Sequence, residues 1–122
     1  ATGGGAAPPA RTYDVTISRD EWGVPHIHGK TDADVGYGIG YAQSEDDFAT
    51  VQEILAATRG RAGAMLGEDG AKSDYAAALL DARGAARTGW PKFAPETRAL
   101  VEAYAAGLNR SAEKHPEEVR LK

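Results

Sequence analysis

Cysteine is absent from the 122 residues, and no apolar run approaches the 18 or so residues that a spanning helix needs. A disulfide framework and a membrane-spanning helix are both excluded. Bulky core material is scarce as well. Leu, Ile, Val and Phe together number 19, against 24 Ala and 15 Gly. So low a fraction signals disorder when net charge is high, but here the net charge is only −4. The composition instead implies Ala and Gly faces that let elements approach closely, with much of the apolar partner surface on another chain. Neither sign of charge dominates: 14 Lys and Arg are interspersed with 18 Asp and Glu. That pattern leaves no footprint for nucleic acid, and neither an acidic tail nor a basic arm.

Residues 1–11 read as a flexible leader. Ala1-Thr2-Gly3-Gly4-Gly5-Ala6-Ala7-Pro8-Pro9-Ala10 has neither the basic start nor the apolar middle of a signal peptide, and it is compatible with the stub left after an export signal is cut. A single domain is expected over 12–122.

Between Thr12 and Ser18 the residues alternate, with Tyr13, Val15 and Ile17 on one face, which predicts a half-buried strand. Arg19-Asp20-Glu21-Trp22-Gly23 is a polar turn closed by Gly, and Val24 to His28 returns as a second short strand, irregular or at an edge because of Pro25. The hairpin is thus placed over 12–29. Thr31-Asp32-Ala33-Asp34 is a capping box with Asp in the usual Glu position, so a helix is expected over 31–59. Its apolar stripe is Tyr41, Phe48, Val51 and Leu55, with Ile39 and Ile54 beside it. Gly36, Gly38 and Gly40 interrupt the first turns, each at a cost of about 0.8–1 kcal/mol relative to Ala. Close passage of backbone against backbone would justify that cost.

Beyond Arg59-Gly60-Arg61, Ala62 to Leu66 predicts one further turn and Glu68-Asp69-Gly70 a surface turn. Ser73 is read as the cap of a short helix ending at Arg83, over 73–83. Pro95 opens a last helix over 95–114, whose buried stripe is expected at Leu100, Val101, Tyr104, Ala105 and Leu108, and Pro116 stops it.

Few motifs carry chemistry. Gly36-Tyr37-Gly38-Ile39-Gly40 lacks the third glycine of a dinucleotide loop and the Lys-Ser or Lys-Thr of a phosphate loop. His26 and His28 share a face of the expected strand and could chelate one metal, but two ligands do not make a site and His115 is remote in sequence. Glu45-Asp46-Asp47 offers oxygens for calcium or an acid/base pair, against a plainer reading as a solvated face with an ion pair. Ser18, Ser44, Ser73 and Ser111 are the serine nucleophile candidates, and none lies in a Gly-x-Ser-x-Gly elbow or near a His placed by a local pattern. Taken from the residues alone, the chain shows no catalytic residue, no assignable substrate-binding residue and no metal site of its own.

The run Ser18-Arg19-Asp20-Glu21-Trp22-Gly23-Val24-Pro25-His26-Ile27, followed by Tyr37-Gly38-Ile39-Gly40-Tyr41-Ala42-Gln43-Ser44-Glu45-Asp46, resembles the start of the small (alpha) subunit of the penicillin acylase family. Arg59-Gly60-Arg61-Ala62, Leu66-Gly67 and Tyr104-Ala105-Ala106-Gly107-Leu108-Asn109 add further landmarks, and the resemblance runs from Thr12 to Asn109. Ser44 departs from it, standing where Ala is usual. Within the family, the Gly-rich segment and the Thr58-Arg59-Gly60-Arg61 corner look closer to aculeacin, acyl-homoserine lactone and cephalosporin acylases than to phenylacetyl-specific enzymes.

The resemblance implies an α+β fold: a mostly helical small subunit with an N-terminal hairpin, completing a four-layer αββα N-terminal nucleophile hydrolase with a large subunit from the same precursor. It implies a periplasmic or secreted amidohydrolase that removes an acyl chain from a β-lactam side chain, an acyl-homoserine lactone or a lipopeptide. The large subunit would supply the nucleophile, the α-amine base and the oxyanion hole. No cofactor is expected in this chain, though a structural calcium is an option in the assembled enzyme, with its Glu ligand and the acyl-pocket helix beyond Lys122. The competing reading is a noncatalytic helical interaction module. Neither reading involves nucleic acid or a membrane.

Overall fold

In a computed structural model, residues 11–120 are described. The leader expected over 1–11 therefore lies outside them, apart from Arg11, which reaches Glu102 at 3.4 Å. The chain runs through β1 (Val15–Arg19), β2 (Pro25–Gly29), α1 (Asp32–Thr58), α2 (Gly63–Leu66), α3 (Glu68–Leu79), α4 (Ala82–Gly89), a 3₁₀ turn at Trp90–Lys92, α5 (Pro95–Lys114) and a 3₁₀ turn at Pro116–Glu118. The fold is a helical unit carrying a two-stranded antiparallel hairpin, in which Val15 pairs with Gly29 and Ile17 with Ile27.

Strand pairing begins at Val15, later than the alternation from Thr12 predicts. The reason is local: the Asp14 N–H leaves the ladder direction and donates to Asp34 Oδ1 at 3.0 Å. Asp34 is also the second half of the capping box, accepting from the Thr31 N–H and hydroxyl while the Thr31 hydroxyl accepts from the Asp34 N–H. One carboxylate thus starts α1 and ties the hairpin to it.

Helix α1 is not continuous. At Asp47 the backbone leaves helical values (φ −157°, ψ 74°), and the Asp47 carboxylate accepts from the Thr50 N–H and hydroxyl at 3.0 and 2.6 Å. Asp47 is therefore the N-cap of the second half of the helix.

The buried faces of the two long helices differ from the expected stripes. On α1 the buried positions include Gly36, Gly40 and Ser44, each four apart, and on α5 they are Ala103, Gly107, Leu108 and Ser111. Ile39, Ile54, Leu55, Leu100 and Val101 are exposed instead. Small residues win because the helices touch backbone to backbone. A Cβ on Gly36 would lie 2.6 Å from Leu100 Cδ1, one on Gly40 would strike the Tyr104 carbonyl, and one on Gly107 would strike the Tyr37 carbonyl. The contacts advance in the same direction along both helices. Gly38 lies on the other side of α1 and admits Ile27 and Val15 of the hairpin, while Tyr13 stacks on Tyr37 with ring centroids 4.7 Å apart.

The middle of the chain corrects two expectations. Glu68-Asp69-Gly70 is the first turn of α3 rather than a surface turn, and its two acids face the positive end of the helix dipole. The helix expected over 73–83 is two helices separated at Leu80 and Asp81. Ser73 lies inside α3, and Asp81 takes a left-handed conformation (φ 46°) from which its side chain caps α4 at the Gly84 N–H. Asp74 is occupied elsewhere. Its carboxylate accepts from the Ala62 and Gly63 N–H groups and closes the corner after α1.

A measurement follows from the two kinds of glycine contact. Gly107→Ala meets a backbone carbonyl that cannot yield and should lower stability by about 3 kcal/mol or more. Gly38→Ala meets the stiff β-branched methyls of Ile27 and Val15 at 2.6 and 2.8 Å, so a net loss of about 1 kcal/mol should remain after the helix propensity of Ala is counted, less than for Gly107→Ala. Urea midpoints at equal slope would compare the two, and equal losses would place the closest contact elsewhere.

Candidate functional site

The segment with the most organised polar chemistry is the hairpin tip. Asp20 Oδ1 accepts from the Trp22 and Val24 N–H groups at 2.9 and 3.0 Å, and its Oδ2 pairs with His26 Nε2 at 3.1 Å. Gly23, at φ +79°, closes the turn. Arg19 then locks the tip to α1: it donates to the Gly23 carbonyl at 2.8 Å and forms ion pairs with Glu45 at 3.3 Å and Asp46 at 2.8 Å. Glu45-Asp46-Asp47 thus divides into a two-carboxylate clamp on Arg19 and a helix cap. The carboxylates divide because the backbone leaves the helix at Asp47, which turns that side chain onto the Thr50 N–H and hydroxyl.

The electrostatics follow these bonds. His26, together with the Val24 and Trp22 N–H groups, holds the Asp20 carboxyl below its ordinary value of 3.8. Hydrogen bonds from the Asp14 N–H and the Thr31 hydroxyl lower Asp34, and those from the Thr50 hydroxyl and N–H lower Asp47. The hydrogen bond to Glu45 raises Arg19 further above its ordinary value.

The strand register also creates a juxtaposition that no local motif in the sequence marks. Ser18 pairs with His26 across the hairpin, and His26 pairs with Asp20, so a hydroxyl, an imidazole and a carboxylate share one exposed face. The signal was available in the turn length, which fixes register. The arrangement is not a working triad. Among the described residues no hydrogen bond joins Ser18 to the ring, the His26 side chain is 54% exposed, and no oxyanion donors or cleft adjoin it. Ser44 and Ser111 are each 1% exposed, their hydroxyls buried without a partner between α1 and α5, and Ser73 lies exposed on α3.

His26 and His28 both face outward on β2 and form no metal group with a third ligand among the described residues. His115, Glu117 and Glu118 do bring ligand atoms within 4.8 Å of one another. One nitrogen and two carboxylates differ from the six to eight oxygens that calcium takes.

Apolar surface is concentrated away from the helix seam. A shallow groove of about 440 Å³ opens beside the α1 kink, lined by Val51, Ile54, Leu55, Tyr104 and Leu108 among others. Trp22 is 82% exposed at the hairpin tip, and Tyr75, Leu79 and Leu80 are more than 70% exposed on and after α3.

A hairpin is clamped to a kinked helix, with polar groups spent on bracing and several large apolar side chains exposed. The sequence model of the penicillin amidase family matches residues 14–121. The chain belongs to that family. Among curated relatives it is 34% identical over 103 residues to acyl-homoserine lactone acylase PvdQ of Pseudomonas savastanoi, 30% identical over 104 residues to penicillin G acylase of Escherichia coli, and 28% identical over 101 residues to a penicillin acylase 2 proenzyme of Pseudomonas. These matches cover 78%, 79% and 83% of the chain but only 13%, 11% and 13% of the relatives. The chain therefore spans about an eighth of their length. A solved thermostable penicillin G acylase from Alcaligenes faecalis has the same fold, with a TM-score of 0.78 at 22% identity, over 88% of this chain and 57% of that one.

The hairpin tip should respond to acid. Because folding depresses Asp20, Asp34 and Asp47, what their ionisation contributes is complete above pH 3.8 and is lost as pH falls through 3.8 toward the depressed values. Amide protection at Trp22 and Val24 should hold above pH 3.8 and fall as the pH drops below it, and Asp20→Asn should flatten that dependence. Unchanged protection in the parent would remove Asp20 as the organiser of the turn.

Proposed function

We propose that the chain is the small subunit of an exported heterodimeric amide hydrolase that removes the acyl chain from an amide such as an acyl-homoserine lactone or a β-lactam side chain. The observation that carries this reading is the family match across residues 14–121 in a chain that spans 11–13% of the curated relatives. In this proposal the large subunit, made from the same precursor, holds the catalytic centre. Its first residue attacks the amide carbonyl and its free α-amine serves as the base. An α-amine suits that task, since its ordinary pKa of about 7.7–8.0 leaves a useful neutral fraction near pH 7, whereas a lysine at about 10.4 does not.

What this chain contributes is scaffold. The buried Ser44 and Ser111 cannot reach a substrate, and Ser18 has a nearby imidazole but no oxyanion donors to support attack. Assembly gives the outward-facing Ile54, Leu55, Tyr75, Leu79 and Leu80 a partner. Any structural calcium belongs to the assembled enzyme in this reading, with its Glu ligand from this subunit beyond Lys122.

Purification of the protein from its full gene tests the proposal. A second, much longer chain beginning with Ser, Thr or Cys should accompany this one, and the pair should hydrolyse acyl amides. Changing that first residue should abolish turnover, while Ser18→Ala, Ser44→Ala, Ser73→Ala and Ser111→Ala should each leave the rate per titrated site within about threefold. A chain isolated without a partner would favour the noncatalytic module instead.

A further inference from the structure

The hairpin tip holds an indole in water. Trp22 is 82% exposed and Val24 52%, yet the loop carrying them is among the most heavily hydrogen-bonded turns of the chain. Asp20 bonds both of their N–H groups, the Asp20 N–H donates to the Val24 carbonyl at 3.2 Å, the Gly23 N–H donates to the Asp20 carbonyl at 3.0 Å, and Arg19 clamps the Gly23 carbonyl while pairing with two carboxylates of α1. Such bracing does nothing to bury Trp22. It fixes the backbone on which the indole stands, so that less loop entropy remains to be lost when a second surface closes over it. Rigidly presented aromatic side chains are the usual anchors of protein interfaces, and a Trp buries about 150–250 Å² when covered.

We infer that the hairpin tip is a preformed anchor, and that Trp22 and Val24 seat in an apolar pocket of the large subunit. The inference rests on the two-subunit reading above and adds the place of contact. The occupant is argued from length: the curated relatives extend far beyond this chain, which covers only 11–13% of them, so the polypeptide available to cover the tip is the rest of the same precursor. Trp22 and Val24 are both apolar, so the floor of the pocket should be apolar.

The assembled pair provides the test, using hydroxyl-radical oxidation and subunit dissociation. Trp22 in the parent pair should oxidise at least about tenfold more slowly than in the same pair unfolded in urea. Trp22→Ala should speed dissociation by about thirtyfold or more, Trp22→Phe should restore most of the lifetime, and Asp20→Ala should speed dissociation by about five- to tenfold by loosening the turn. The rate per titrated active site should stay within about twofold in every variant, because Trp22 is placed in an interface and not at the reacting atoms. If no partner chain is found, both the two-subunit reading and this inference fall. If the pair exists but Trp22 oxidises at the unfolded rate, or Trp22→Ala dissociates like the parent, the inference alone falls. Should Trp22→Ala fail to mature, the oxidation measurement on the parent pair still decides.

Discussion

Everything in this chain depends on how closely α1 and α5 approach. With so few bulky aliphatic residues, the unit cannot be held by interdigitating Leu and Phe. It is held by removing side chains from the contact, so that backbone dispersion and small-residue packing replace them. Gly36, Gly40 and Ser44 on one helix meet Ala103, Gly107 and Ser111 on the other, and the fully buried side chains of largest volume are the two serines. Large apolar residues displaced from this seam must go outward. The exposed Ile54 and Leu55 of α1 and the close helix contact are two sides of one constraint.

Much of this was legible in the residues. The capping box at Thr31 and Asp34 located the start of α1, Pro95 located the start of α5, and the three glycines announced close contact. What failed was the choice of buried face. A stripe through Tyr41, Phe48, Val51 and Leu55 is the natural buried face when large residues fill the helix contact, and the rule misleads when that contact uses small residues instead. The α3–α4 region failed for a different reason. Glu68-Asp69-Gly70 has the composition of a turn, but Asp and Glu are equally at home in a first helical turn, and Gly70 is buried against the Ala62 carbonyl, a tertiary contact with no local signature.

The candidate site divides in the same way. The motif around Arg19, Asp20 and His26 pointed to a family through its order and spacing, while its physical role became visible only with the register. His26, which the sequence left free for metal binding or acid/base chemistry, spends its Nε2 on Asp20 within the same turn. The carboxylates of Glu45 and Asp46 are likewise spent on Arg19. The residues most suggestive of chemistry are the ones that make the hairpin rigid, and that division of labour is consistent with a family in which this chain is a small part of the polypeptide.

The break at Asp47 has a mechanical consequence. A helix of 27 residues bent by strain would behave as a loaded spring, pressing to straighten against whatever held it. Here the bend carries its own hydrogen bonds, since Asp47 caps the half that begins after it. The first half travels with the hairpin and α5, while the second half is held at Gln52 by the Glu118 carbonyl and the Arg120 N–H. The helix is two struts with a finished joint, and the angle between them is set by what each strut leans on rather than by tension stored in the rod.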